Sequence, residues 1–440
     1  MNTEKEIRTF HISTYGCQMN LADSSTLAAA MTARGFRRVS DEKRADLIIL
    51  NTCSVRDKAE QRVLGRLGEL AGIKRKNPDL RLAVVGCMAQ RLGDGLLKQA
   101  PQVDYVLGTD RVFDLPDVIA RANGSRRVMT ALGRNDIDTI APAPETPYSG
   151  FVTISRGCDN YCTYCIVPFV RGKERAHSAD FIIDSMKRLA DRGVVEVTLL
   201  GQNVNSYRCR GTDFPDLLMR AAGESGVRRL RFMTSHPIDL STKLVDVMAR
   251  CPAIMPHIHL PLQSGADRVL KNMGREYTIE HYLKTVEYIR SRLDYVSLTT
   301  DLIVGFPGET ESEYEATLEA VRTIRYDSAF MFRYSVRPGT AAADYDDDVT
   351  EDEKIRRLKK LIALQQEISF ACNRREVGRV RHSLVEGTSR RDRDYLRART
   401  EGNKTVLIPA GDLHEGDIVR VKITSADAFT LHGEVEGTCQ

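Results

Sequence analysis

The sequence predicts an α/β multidomain protein in three parts: an N-terminal parallel-sheet α/β domain, a central partial (β/α)6 barrel, and a small C-terminal β-barrel of OB-like character. Three observations carry this prediction. Apolar, β-like runs alternate with helical stretches as far as residue 124, the signature of a parallel sheet. The same alternation recurs six times from Phe151. After Arg375 only short alternating strands remain, separated by Gly, Asp and Asn turns. The domain bounds are therefore set at 8–124, 144–374 and 376–439, with Gly124, Pro142, Pro144 and Pro147 marking a linker over 123–150. A chain of 440 residues has room for these cores. The net charge of +4 is too small to be diagnostic, so any nucleic-acid surface must be local. No apolar run approaches the ~18 residues of a membrane span, and MNTEKEIRTF lacks a signal-peptide core. Ten cysteines without an export signal argue for metal ligation in a reducing compartment, hence a cytoplasmic chain without a membrane partner.

In the first part, Cys17, Cys53 and Cys87 each end a β-like run: RTFHISTYGC, ADLIILNTC and LRLAVVGC. Sites in parallel sheets form at the carboxyl ends of the strands, so these cysteines should converge at one edge. A cysteine after a buried strand is by itself usually a small apolar residue. Three strand-terminal repeats about 35 residues apart favour a ligand set instead. Gly16 and Gly86 precede two of them, as tight backbone requires.

The barrel strands are FVTIS, VEVTLLG, RRLRFMTS, PHIHLPLQ, VSLTTDLIVG and SAFMFRYS, with capped helical patterns between them such as Thr310-x-x-Glu313. Six units are too few to close an eight-stranded barrel. After the first strand come Cys158-x-x-x-Cys162-x-x-Cys165. Three thiolates leave one iron of a 4Fe–4S cube without a protein ligand, free to bind substrate. A zinc knuckle needs a fourth Cys or His at short spacing, and His177, the nearest candidate, lies twelve residues beyond Cys165. The pattern resembles the signature of the radical S-adenosylmethionine (SAM) superfamily. That resemblance implies that SAM chelates the open iron and is cleaved reductively to methionine and a 5′-deoxyadenosyl radical.

Other strand ends are unusually polar. Gly201-Gln202-Asn203-Val204-Asn205 resembles the superfamily stretch that receives the SAM amino group. Thr234-Ser235-His236-Pro237, Gln263-Ser264-Gly265 and Arg333-Tyr334-Ser335 follow at later strands, and Asp301 through Gly305 leads into a glycine turn. The candidate cofactor contacts are Tyr164, Gln202, Asn203, Ser235, His236, Gln263, Asp301 and Gly305. Tyr164 has two readings, packing on the SAM adenine or packing its own loop. No catalytic side chain beyond the cluster ligands is identified. In the last part, Arg379, Arg381, Arg390, Arg391, Arg393, Arg397, Arg399 and Lys404 crowd the first half, and Tyr395 offers a stacking ring. Interleaved acidic residues leave open an ordinary solvated face.

Thr14-Tyr15-Gly16-Cys17-Gln18-Met19-Asn20, Asn51-Thr52-Cys53-Ser54-Val55-Arg56 and Val85-Gly86-Cys87 resemble the N-terminal domain of methylthiotransferases within the radical SAM superfamily. Gln-Met-Asn after Cys17 resembles the tRNA-modifying MiaB-type branch, whereas the ribosomal-protein branch typically carries a Pro-Lys-Asn-like sequence. The last part resembles the TRAM domain, an RNA-binding module. The match runs from about residue 8 to 438. It implies two 4Fe–4S clusters, the second on Cys17, Cys53 and Cys87 supplying sulfur, and two SAM molecules per product. The implied substrate is N(6)-dimethylallyladenosine next to the tRNA anticodon, methylthiolated at carbon 2. An electron donor and a sulfur donor are implied but not identified. Alternatives are a methylthiotransferase acting on threonylcarbamoyladenosine or a ribosomal protein, and a non-catalytic iron–sulfur RNA-binding regulator. One departure stands out: where the family commonly reads Arg-Gly-x-Glu-x-Ser-Arg-Pro, this chain reads Arg171-Gly172-Lys173-Glu174-Arg175-Ala176-His177-Ser178. Cys209, Cys251, Cys372 and Cys439 match no ligand spacing.

Overall fold

The computed structural model describes residues 7–54, 57–121, 126–133, 138 and 140–438. The N-terminal domain contains β1 (Thr9–Tyr15), α1 (Gln18–Ala33), β2 (Arg37–Arg38), β3 (Leu47–Thr52), α2 (Asp57–Lys76), β4 (Arg81–Gly86), α3 (Cys87–Leu92), β5 (Tyr105–Leu107) and β6 (Arg127–Met129). Its parallel sheet runs β2-β1-β3-β4-β5-β6. Central β3 is buried at every position because helices cover both faces, which is why its sequence is a continuous apolar run. Phe10, Leu47 and Ile49 build the core on one face, and Ile48, Leu50 and Val84 on the other. Edge strand β6 lies in the stretch assigned from sequence to a linker; Gly124 lies outside the described residues.

The barrel strands are β7 (Ser149–Thr153), β8 (Glu196–Leu200), β9 (Arg229–Phe232), β10 (His257–His259), β11 (Ser297–Val304) and β12 (Ser328–Arg333). They form two parallel triplets, β9-β8-β7 and β10-β11-β12, joined at the seam by a single parallel bridge between Leu230 and Ile254. Alternation sorts the side chains. Val197, Leu199, Leu230, Ile258, Leu298 and Leu302 enter the helix-covered core. Glu196, Arg229, Arg231, His257, His259 and Asp301 take the opposite face, the lumen. Helix α4 (Val167–Arg171) follows the first cysteine loop; α5 (Glu311–Ile324) and α6 (Glu351–Arg374) cover later strands. The predicted capping box is present: Thr310 Oγ1 accepts from the Glu313 N–H at 3.3 Å, and Glu313 Oε2 accepts from the Thr310 N–H at 2.9 Å.

The C-terminal domain comprises β13 (Val380–Thr388), β14 (Tyr395–Thr400), β15 (Thr405–Pro409), β16 (Ile418–Ala426) and β17 (Leu431–Thr438). They close in the order β13-β14-β15-β17-β16 around Val385, Ala398, Val406, Val419 and Val421. This small barrel seals the end of the lumen where the strands begin. Arg229 and Arg231 share the Glu196 carboxylate at 2.9 and 2.8 Å. Their remaining N–H groups donate to backbone carbonyls of His382, Arg399, Thr400 and Glu401.

The N-terminal domain covers part of the opposite, carboxyl rim. Met19 and Ala22 of α1 pack on Phe151, Leu200 and Met233. Asp23 takes Arg156 at 2.8 Å and Arg171 at 3.1 Å, and Asp110 takes Arg175 at 2.7 Å. Among the described residues, no helix is long and apolar enough to cross a membrane.

Candidate active site

Cys158, Cys162 and Cys165 lie in the loop after β7, on the carboxyl rim. Backbone bonds lace this loop to distant segments: the Cys158 N–H donates to Gly172 O at 3.1 Å, and the Thr163 N–H to Met273 O at 3.0 Å. The Thr163 hydroxyl adds a bond to Asn272 O at 2.8 Å. Gly157, at φ 83°, is obligatory, since a Cβ there would stand 2.1 Å from Lys173 O. Arg275 donates to Cys162 Sγ at 3.4 Å. Burial opposes the charge of that guanidinium, but Tyr164, Tyr277 and Cys162 outweigh it and hold Arg275 protonated. Burial pushes the Cys158 thiol up to about 11; burial, and then Cys162, push Cys165 up to about 12.

The other three cysteines converge as the strand pattern predicts. Cys17 caps α1, Cys53 follows β3 and Cys87 opens α3, at the ends of three adjacent strands. Asn20 and Asn51 tie the set together. Asn20 Oδ1 accepts from the Cys17 N–H at 3.2 Å and faces Cys17 Sγ at 3.3 Å. Its amide donates to Asn51 Oδ1 at 3.0 Å and Thr52 O at 3.2 Å, while the Asn51 amide returns to Asn20 O at 2.8 Å. The Cys17 thiol is brought down to about 6. A hydrogen bond with Cys53 lowers it most, burial resists, and Arg171 with the N–H groups of Asn20 and Met19 complete the shift. Burial raises Cys87 despite Arg171. Val55 and Arg56 of this motif lie outside the described residues.

In metal-free protein, an alkylating reagent at about pH 7 should therefore label Cys17 first. The residue lies at the surface, and its hydrogen bond with Cys53 draws the thiol towards thiolate, whereas burial holds Cys158 and Cys165 as thiols. Peptide mapping by mass spectrometry reads the order; faster labelling of Cys165 than Cys17 would contradict it.

The two sets are neighbours. Ile166, next to Cys165, packs with Val170 on Cys87. Arg171 at the end of α4 faces Cys87, Asp23 and Cys17, which hold it charged against burial. Arg337, beyond β12, lies within electrostatic reach of Cys53. Among the described residues, no three His, Cys, Asp or Glu side chains are grouped to hold a single metal ion; a cube asks for something else, one thiolate at each of three corners. His177 is not a fourth ligand to Cys165. Its Nδ1 is 2.7 Å from Asp138 Oδ1, its ring stacks on Phe181 at 5.1 Å, and burial brings its pKa down to about 4.

Among the rim sequences, several buried polar atoms have no protein partner: Ser155 Oγ, both amide atoms of Asn205, Ser235 Oγ, His236 Nε2 and Gln263 Oε1. Buried polar atoms are normally bonded, so this concentration suits a polar ligand rich in amino, carboxylate and hydroxyl groups. Thr234 and Gln263 hold left-handed backbone at φ 68° and 71°, strain that collects at such sites. Burial, then Arg275, hold His236 neutral, with its pKa brought down to about 3.

The other candidates divide. Gln202 is half-buried at the rim. Asp301 stands 3.5 Å from His259 in the lumen. Asn203 is committed to the loop: its amide donates to Asp239 at 2.6 Å, and its oxygen accepts from the His236 N–H at 3.1 Å. Tyr164 packs among Ala266, Met273 and Phe306, the loop-packing arrangement. The space above Gly305 is occupied by the Lys354 side chain. Asn205 and Arg275 are not singled out by the sequence, although Asn205 stands in the quoted Gly-Gln-Asn-Val-Asn stretch; Glu174 stands at the matching position of the Arg-Gly-x-Glu pattern. Ser206 donates to both Glu174 oxygens at 2.8 Å.

In the C-terminal domain the basic residues also divide. Arg381 pairs with Glu376, Arg397 and Arg399 pair with Glu386, and Lys404 pairs with Asp327. Arg379, Arg390, Arg391 and Arg393 are exposed. Phe429 is 72% exposed against 36% for Tyr395. Cys209 and Cys251 pack at the edge of the barrel core, Cys372 is inside it, and Cys439 lies outside the described residues.

Family models match along the chain: the uncharacterized protein family UPF0004 over residues 9–108, the radical SAM superfamily over 152–321, and the TRAM domain over 374–435. The chain is 45% identical over 439 residues to a tRNA-2-methylthio-N(6)-dimethylallyladenosine synthase of Moorella thermoacetica, covering 98% of this chain and 99% of that protein. It is 45% identical over 441 residues to the synthase of the same name from Syntrophomonas wolfei, covering 98% of each. The fold resembles that of the radical SAM methyltransferase TsrM from Kitasatospora setae, with a TM-score of 0.57 at 15% identity over 76% of this chain and 75% of that one.

Proposed function

The chain belongs to the family of tRNA-2-methylthio-N(6)-dimethylallyladenosine synthases, and from that kinship we propose that it holds two 4Fe–4S clusters, one on Cys158, Cys162 and Cys165 and one on Cys17, Cys53 and Cys87. It is a radical SAM tRNA methylthiotransferase, replacing the C2 hydrogen of N(6)-dimethylallyladenosine with a methylthio group. Full-length kinship selects this substrate over threonylcarbamoyladenosine, a ribosomal protein, or a purely regulatory role. The adenosine acted on is the one beside the anticodon, the setting is the cytoplasm, and the electron and sulfur donors are separate molecules.

The observation that carries the two-cluster reading is the meeting of both cysteine sets across Ile166 and Arg171. When bound, a cluster with SAM supplies the one-electron chemistry that an aromatic C–H bond requires, and the second cluster supplies sulfur. The chain itself supplies placement. Asn205, Ser235, His236 and Gln263 offer donors and acceptors to the amino-acid end and ribose of SAM. Arg275 places a positive charge beside Cys162, and Arg171 one beside Cys17 and Cys87. Met19, Ala22, Phe151 and Met233 keep water from the contact between rim and N-terminal domain.

Anaerobic reconstitution should load about eight irons per chain, and cells lacking the protein should accumulate the prenylated, unthiolated nucleoside in tRNA digests. Saturation at half that iron, with Cys17, Cys53 and Cys87 free to alkylate, would refute the second cluster. The RNA grip is tested without deleting the C-terminal domain, since deletion would leave Arg229 and Arg231 short of acceptors. Replacing Arg390, Arg391 and Arg393 with Gln should make the log-log salt dependence of tRNA binding shallower by roughly 2–3. An unchanged slope would place the RNA surface elsewhere.

A further inference from the structure

An aromatic ring stands among the polar side chains of the lumen. Phe330 on β12 is 52% exposed, yet it projects into the barrel. It is the register partner of Asp301 on β11, and so shares its face of the sheet. Its ring meets the buried His259 ring edge-on, at 6.0 Å and 74°, and His259 is the side chain beside Asp301. Its strand neighbours Ala329 and Met331 point the other way, into the helix-covered core. Among the described residues β12 pairs with β11 alone, so the ring stands on the open flank of the barrel. Two residues on, along the same face, Phe332 lies opposite Ile303, towards the rim. The loop that follows leads through half-exposed Val336 to Arg337, near Cys53.

Beyond its edge contact with His259, this phenyl ring leaves about half of its surface open to water, beside a carboxylate and an imidazole. It gains its worth when an apolar, flat group covers it. Building on the proposed function, we infer that Phe330 is a specificity-determining residue that receives the dimethylallyl-bearing adenine. The branched five-carbon substituent rests on its ring, and the purine edge continues along Phe332 and Val336 towards the cysteines. An unprenylated adenosine would leave the ring exposed to water and bind less well.

The test compares fluorescently labelled anticodon stem–loops with and without the dimethylallyl group, binding to full-length reconstituted protein by anisotropy. Wild type should favour the prenylated RNA, and Phe330→Ala should reduce that preference by about tenfold or more, within the range a hydrophobic pocket provides. Binding of unprenylated RNA, SAM affinity by calorimetry and iron content should stay as in wild type. Phe330→Leu, which keeps an apolar surface and the fold, should retain most of the preference. Undiminished discrimination by Phe330→Ala, or equal weakening for both RNAs, would overturn the inference. A wild-type protein that forms no methylthio product on prenylated RNA would overturn the proposed function and this inference with it. Product formation by wild type alongside unaltered discrimination in the variant would overturn the inference alone.

Discussion

Cys158→Ala is expected to abolish both 5′-deoxyadenosine release and methylthiolation, whereas Cys53→Ala abolishes only methylthiolation. The barrel loop carries Cys158 at the rim where Ser235, His236 and Gln263 present unpaired polar atoms, so losing one of the three proposed ligands there should remove SAM cleavage at its origin. Cys53 belongs to a different sheet, at the end of β3, and its thiol hydrogen-bonds with Cys17. Its loss leaves the backbone bonds of the Cys158 loop to Gly172 and Met273 in place. Anaerobic assays of both products, with iron counted in each variant, check the division. Loss of 5′-deoxyadenosine in a folded Cys53→Ala protein that retains its barrel cluster would contradict it.

The second large effect is expected from Asp23→Ala. Asp23 is buried on α1 and binds Arg156 and Arg171 of the barrel at once. Removing it strands two guanidinium groups at a domain interface, a change that costs roughly 3–5 kcal/mol when a buried pair is broken. Arg171 is also the charge beside Cys17 and Cys87, so the same change loosens the approach of the two cysteine sets. Methylthio product should fall much further than 5′-deoxyadenosine, and thermal unfolding should shift downward.

Burial alone would raise the Asp23 pKa, but Arg156 and Arg171 bring it below the usual aspartate value. The contribution of this carboxylate to docking is therefore complete above the ordinary aspartate pKa, near pH 4. It disappears as pH falls through the lower, folded value. Wild type should lose the interface over that acid range, and Asp23→Ala should show no such loss. A variant with wild-type stability and coupling would remove Asp23 from this role.

What the sequence discloses and what it conceals follow a physical division. Continuous apolar runs such as Leu47–Leu50 and alternation along Val197 and Leu199 are local patterns, so every barrel strand and the convergence of Cys17, Cys53 and Cys87 are legible. Edge strand β6 is three residues with no periodicity to detect. The Asp23 pairs join residues more than 130 positions apart, and nothing in the local sequence around them announces it. Composition misleads in the C-terminal domain, where Arg381, Arg397, Arg399 and Lys404 resemble an RNA surface and are engaged with acidic partners. Gly305 signals an approach that its own chain fills with Lys354. His177 is noticeable as a departure from the family, but its contact with Asp138 depends on how the linker returns.

The anchoring of the small β-barrel has a mechanical consequence. Arg229 and Arg231 hold it through main-chain carbonyls of β13, of β14 and of the residue after β14, which cannot swing as side chains do. The separation between the exposed arginines at 390–393 and the lumen is therefore a fixed length, a gauge built into the molecule. On the proposed reading, a tRNA backbone held by those arginines would present to the lumen the nucleotide that lies one such length away. Position along the RNA would then be set by distance.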